Sequence, residues 1–171
     1  MKIYAVIMAG GVGSRFWPSS KERTPKQLLK IFGEKTMIQD TVKRLDSIVA
    51  LNDIFIVTNK VQKPEIQNQL PDLPPENIIE EPFGRNTAAC IGLSAVILKS
   101  KSPDAVMVTL PADHLIRDIN SFRKTIKDAV NFAYESKGLV TIGITPSRPE
   151  TGYGYICLLY TSDAADEEDS V

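Results

Sequence analysis

Two cysteines and a single histidine among 171 residues leave this chain poor in metal and redox chemistry. Cys90 and Cys157 stand far apart without metal-ligand spacing, and His114 has no histidine partner, so neither a disulfide framework nor a zinc site is expected. Such sparse cysteine use fits a reducing, cytoplasmic location. Long apolar runs are missing too. The stretch from Ile3 to Ala9 is much too short to cross a bilayer and leads into Gly10-Gly11 rather than a signal-cleavage pattern, so no membrane association is expected. Lysine and arginine form no clustered stripe, which argues against nucleic acid as a partner. No internal repeat is visible.

What is present suits one ordinary domain: 43% of the residues are hydrophobic, enough for a single buried core. The formal net charge of -1 hides an asymmetry. Asp163, Asp166, Glu167, Glu168 and Asp169 crowd the last eleven residues, which hold no base. The body before them is mildly basic, as befits a binder of small anions.

The run Ile3 to Met8 reads as a strand buried on both faces of a parallel sheet. Met37, Ile38, Val42, Leu45, Ile48 and Val49 recur at helical spacing behind Thr36, a candidate N-cap, and a short strand Ile54 to Val57 follows. Gln62 to Leu70 reads as a short polar helix with Pro64 in its first turn, stopped by Pro71, Pro74 and Pro75, and Ile78-Ile79 as a brief strand. Helices are expected over Asn86 to Lys99 and Ser121 to Ser136, the latter closing at Gly138. Strands are expected over Ala105 to Leu110 and Leu139 to Ile144. This alternation predicts an α/β fold with a mostly parallel sheet covered by helices on both faces. Ligands of such sheets sit beyond the carboxyl ends of the strands, and the unusual residues fall there: Gly10 to Arg15 after one strand, Asp113 after another.

Gly10-Gly11-Val12-Gly13-Ser14-Arg15 can turn backbone N–H groups toward phosphate oxygens, and Arg15 and Lys26 can neutralise their charge. The glycine spacing is not that of a dinucleotide-binding turn, and no lysine-serine or lysine-threonine pair closes it as in a P-loop. A long, irregular loop wrapping a nucleotide fits better.

Four stretches in order carry a specific resemblance. Gly10 to Ser20 with Pro25-Lys26-Gln27 is similar to the signature of sugar-nucleotide pyrophosphorylases. Within it, Phe16-Trp17-Pro18-Ser19-Ser20 and Pro25-Lys26-Gln27 resemble the mannose-1-phosphate guanylyltransferase branch. So do Glu81-Pro82-Phe83-Gly84-Arg85-Asn86-Thr87-Ala88, Leu110-Pro111-Ala112-Asp113-His114, and Pro149 to Ile156.

The resemblance implies a Rossmann-like nucleotidyltransferase fold and attack by mannose 1-phosphate on the α-phosphorus of GTP, giving GDP-mannose and pyrophosphate. Arg15, Lys26 and Asp113 would be the catalytic residues, Asp113 also the ligand of Mg2+. Ala9, Gly10, Gly11, Gly13, Ser14, Arg15, Gly84, Arg85, Asn86, Thr87, Pro111 and Asp113 would line the nucleotide, and Glu150, Thr151, Gly152 and Gly154 the sugar. Blander roles stand beside these: Asn86 or Thr87 as a helix N-cap, Asp113 as a turn cap, His114 as structural support, Phe16 and Trp17 as packing. Members of the family usually continue into a second metal-binding aspartate and a C-terminal β-helix, so residues 1–156 are expected to be a partial domain. Residues 157–171 are expected to be a non-native or disordered acidic tail. The rival readings are a pyrophosphorylase for another sugar 1-phosphate or nucleotide, and a nucleotide-binding module without catalysis.

Overall fold

The computed structural model describes residues 1–11, 18, 20–21, 23–149, 151 and 154–155. The elements run β1 (Ile3–Met8), α1 (Met37–Arg44), β2 (Ile54–Thr58), α2 (Lys63–Gln69), β3 (Ile78–Glu80), α3 (Asn86–Lys101), β4 (Val106–Pro111) and α4 (Ile119–Ser136). Single 3-10 turns occupy Lys26–Leu28, Leu51–Asp53 and Pro75–Asn77. Every strand pair is parallel, in the order β3-β2-β1-β4, with Met8 opposite both Val57 and Pro111. Among the described residues no helix is long and apolar enough to cross a membrane.

Alternation along the strands divides the core between two faces, because successive side chains of a strand point to opposite sides. Ala5, Ile7, Ile54 and Ile56 pack with Ile38 and Val42 of α1, Leu45 just past its end, and Ile66 of α2. Tyr4, Val6, Phe55 and Val57 pack on the other side with Cys90 and Leu98 of α3. Tyr4 and Phe55 meet edge to face at 5.6 Å between ring centroids. Each fully buried Leu or Ile of this kind contributes about 1.5–3 kcal/mol.

Helix ends follow local chemistry. Gln39 Oε1 accepts the Thr36 backbone N–H at 3.0 Å, one half of the capping arrangement that opens α1. Asp118 Oδ1 accepts the Ser121 N–H at 2.9 Å, so α4 starts at Ile119, two residues before the Ser121 expected from spacing. At its other end the left-handed residue is Lys137, φ 54°, rather than Gly138. Pro64 sits in the first turn of α2, where its missing N–H costs nothing.

One expected element is absent. Residues 139–146 carry no strand, with Leu139 fully exposed and Ile144 77% exposed. An apolar run becomes a strand only when a neighbour supplies a hydrogen-bond ladder, and none reaches this stretch among the described residues. The chain falls into two compact units, Met1–Gly138 and Leu139–Val171. The sheet belongs to the first.

Candidate nucleotide-binding site

Connections β1 to β2 and β2 to β3 carry α1 and α2 on one face, whereas α3, which leads back across the sheet to β4, lies on the other. The winding direction therefore reverses between β1 and β4, and a crevice opens beyond their carboxyl ends. Both predicted loops leave the sheet there, the glycine loop after Met8 and the Asp113 turn after Pro111.

The glycine loop is held from beneath by buried amides. Gln27 Nε2 donates to Ala9 O at 2.9 Å and to Gly11 O at 3.1 Å. Gln62 Nε2 reaches Gly11 O at 3.2 Å, and Thr58 Oγ1 donates to Ala9 O at 3.2 Å. Gln27, Gln62 and Thr58 are at least 95% buried, and each such bond is worth about 1 kcal/mol net. Gly10 and Glu81 approach closely, since a Cβ at Gly10 would stand 3.1 Å from Glu81 Oε2 and would press that carboxylate aside by a few tenths of an ångström. Partial burial pushes the Glu81 carboxyl above its ordinary pKa.

Lys26 and Asp113, 87 positions apart, meet in the crevice: Lys26 Nζ lies 3.2 Å from Asp113 Oδ2 and 3.4 Å from the Asp113 carbonyl. With the two side chains 24% and 45% exposed, such a pair contributes about 0–1 kcal/mol to folding. Stability does not explain the pairing. The Asp113 turn is continuous with the core, because the Ala112 N–H donates to Met8 O at 3.1 Å and Ala112 is buried.

Among the described residues no group of three or more His, Cys, Asp or Glu side chains could enclose a metal ion. A lone, half-exposed carboxylate nonetheless suits magnesium, which commonly takes one or two carboxylates and fills its remaining positions with substrate phosphates and water. Asp113 fits a cation carried in by a nucleotide, not a closed protein cage.

Gly84, Arg85, Asn86 and Thr87 are exposed at the start of α3. Arg85 occupies the N-cap position without a side-chain cap bond, and Asn86 adopts a left-handed φ of 63°. From this motif the structure brings Glu81 beside Gly10, a residue within the motif but not singled out from sequence. Of the other candidates, Ala9 is buried at the end of β1 and Pro111 ends β4. Gly13, Ser14, Arg15, Phe16, Trp17, Glu150 and Gly152 lie outside the described residues. Thr151 and Gly154 are exposed in the second unit. Sequence reasoning also missed Gln62 and Thr58, which sit in no motif and are joined to the loop only by the parallel pairing of β1 and β2.

The model of the family described as nucleotidyl transferase matches residues 4–165. The chain belongs to that family. A mannose-1-phosphate guanylyltransferase of Escherichia coli K12 is 45% identical over 159 residues, covering 91% of this chain and 33% of that protein. One from Klebsiella pneumoniae is 44% identical over 153 residues, with 88% and 32% covered. The chain thus spans about a third of the length of these curated relatives. A crystal structure of a mannose-1-phosphate geranyltransferase from Thermus thermophilus superposes with a TM-score of 0.69 at 33% identity, over 79% of this chain and 39% of that one. The expected nucleotidyltransferase fold is therefore the observed one.

Proposed function

We propose that the protein carrying this chain transfers a guanylyl group from GTP to α-D-mannose 1-phosphate, giving GDP-mannose and pyrophosphate. The observation that carries the reading is the meeting of Lys26 and Asp113 beside the glycine loop, at the crevice where the sheet reverses its winding. The likeness to guanylyltransferases supports the choice of substrates.

In this reading a phosphate oxygen of mannose 1-phosphate forms a bond to the α-phosphorus of GTP. The bond from that phosphorus to the α–β bridging oxygen breaks, and its electron pair leaves with pyrophosphate. The chain does little covalent work; it holds two polyanions together and stabilises charge on the leaving oxygens. Lys26 and Arg15 supply side-chain cations. Gly10, Gly11, Gly13, Ser14 and the end of β1 at Ala9 present the backbone to the triphosphate. Gly84, Arg85, Asn86, Thr87 and Pro111 line the base and ribose. The Glu81 carboxylate beside Gly10 offers acceptors suited to the N–H edge of guanine, which adenine lacks. Glu150, Thr151, Gly152 and Gly154 bind the sugar hydroxyls. Asp113 would hold Mg2+, which when bound neutralises phosphate oxygens. The cytoplasm, where thiols stay reduced, is the proposed location.

Pyrophosphate release by the full-length protein with GTP, mannose 1-phosphate and magnesium tests this, beside matched reactions with ATP or glucose 1-phosphate. Turnover selective for the first pair is expected. Selective turnover with another pair would assign a different pyrophosphorylase, and GTP binding without turnover a binding module.

A further inference from the structure

Arg44, the last residue of α1, is a guanidinium only 6% exposed, which neither the fold nor the proposed chemistry has yet used. Removing such a cation from water costs several kcal/mol, and an apolar side chain of similar volume usually packs as well or better. Its contacts point to one place. Nη1 donates to the His114 carbonyl at 2.7 Å, Nη2 donates to Thr41 Oγ1, and the Phe122 ring lies 5.8 Å from the guanidinium carbon. Thr41 is itself anchored, its hydroxyl donating to Met37 O at 2.8 Å with a longer 3.4 Å arm to Ala112 O.

Three successive carbonyls of the turn after β4 thus face side-chain donors: His114 accepts from Arg44 at 2.7 Å, whereas Asp113 and Ala112 have only long 3.4 Å arms, from Lys26 and from the Thr41 hydroxyl whose proton goes mainly to Met37. Because each peptide is planar, holding its oxygen holds the peptide: Arg44 fixes the peptide that follows His114, one residue beyond the Asp113 Cα, and the weaker arms bear on the two peptides that flank that Cα. The strongest of the three bonds is Arg44's, since it joins a charged donor to a 2.7 Å distance where the Lys26 arm is 3.4 Å. The clamp is braced in turn, since Arg123 of α4 donates to the Arg44 carbonyl at 3.0 Å and to the Lys43 carbonyl at 3.2 Å.

We propose that Arg44, oriented by Thr41, is a positioning residue that fixes the Asp113 turn and so aims its carboxylate at the nucleotide-borne cation. This rests on the reading of Asp113 as the cation ligand. Arg44 touches no reacting atom; its effect passes through the backbone of Ala112 to His114.

The test compares Arg44→Met, Arg44→Lys and Thr41→Val with wild type, and Thr36→Ala serves as a control at the opposite end of α1. In the full-length protein kcat is expected to fall roughly ten- to a hundredfold in Arg44→Met, the scale of a misplaced reacting group. The magnesium concentration for half-maximal rate should rise, the KM for GTP should change less than kcat, and Arg44→Lys should recover part of the loss. Thr36→Ala should lower the melting temperature alone. A second readout, independent of turnover, is broadening of the Asp113 and His114 amide resonances by Mn2+ in the presence of GTP, abolished by Asp113→Asn. Arg44→Met and Thr41→Val should need more Mn2+ for the same broadening. Wild-type rates and Mn2+ dependence in the folded variants would overturn the positioning role. Should Arg44→Met fail to fold, Thr41→Val and Arg44→Lys decide it. An inactive wild type that still shows the broadening would sink the proposed reaction and leave the clamp standing, whereas no broadening in wild type would overturn both.

Discussion

The two faces of the sheet are built differently. On the α1 and α2 face, apolar residues form the core and polar side chains reach past it to the crevice: Gln27 and Gln62 to the glycine loop, Thr41 and Arg44 to the Asp113 turn. Across the sheet, α3 buries Cys90, Ser94 and Leu98, leaves Val96 72% exposed, and begins without a side-chain cap. The hydroxyl it buries bonds within the helix itself, Ser94 Oγ to Cys90 O at 2.8 Å. Holding a loop in one conformation takes directional bonds, whereas covering a sheet takes only apolar area. Residues that shape the crevice therefore concentrate on the first face.

The largest expected effect separates chemistry from stability on that face. Lys26→Ala in the full-length protein should cut turnover by roughly a hundred- to a thousandfold, the cost of losing one preorganised charge partner. Its ion pair is half exposed, so the melting temperature should barely move, and near-normal turnover would remove Lys26 from the catalytic set. Next, the faces can be compared directly by chemical denaturation. Leu45→Ala, on a fully buried residue that closes α1, should cost about 2–5 kcal/mol, while Val96→Ala on α3 should stay within about 0.5 kcal/mol. Equal losses would break the contrast. A smaller change tests the polar ties: Gln27→Leu takes one of two side-chain donors from each of the Ala9 and Gly11 carbonyls, leaving Thr58 and Gln62, with an expected loss of about 0.5–1.5 kcal/mol and weaker GTP binding by calorimetry.

The smallest effect concerns acidity on the α3 face. Burial, helped by the Glu81 carboxylate, pushes the Cys90 thiol up from 9.0 to about 11. The thiol should thus resist alkylation at neutral pH, read by mass at the peptide carrying Cys90. The sign of its linkage follows from the raised value. The unfolded thiol ionises first, so this contribution to stability is complete below pH 9.0 and is lost as pH rises toward about 11. Cys90→Ser should flatten that part of the stability profile. No flattening would place the alkaline loss elsewhere.

Legibility in the sequence followed the same division. The period of α1 was readable because its apolar positions are segregated, and Ile38, Val42 and Leu45 are indeed its buried stripe. In α3, alanine, isoleucine and leucine run around the whole helix, so the element was evident but its buried face was not. Lys26 and Asp113 could be singled out because each sits in a motif, Asp113 just past a strand and Lys26 in the Pro25-Lys26-Gln27 stretch. Gln62, Thr58, Thr41 and Arg44 escaped notice, since a buried polar residue looks in sequence like any exposed one until its partner is known. Leu139 to Ile144 misled for the complementary reason: apolar alternation reports the capacity to pair, and pairing needs a neighbour.

The sequence alone determined most of the local order: the helices, the strands from β1 to β4 and the position of the carboxylate after β4 depend largely on neighbours a few residues away. Tertiary structure alone decided that β1 and β4 lie side by side with the winding reversed between them. Only that adjacency brings Lys26 to Asp113 and Arg44 to the His114 carbonyl, because contacts between residues 70 to 87 apart depend on how strands are ordered and not on any local preference.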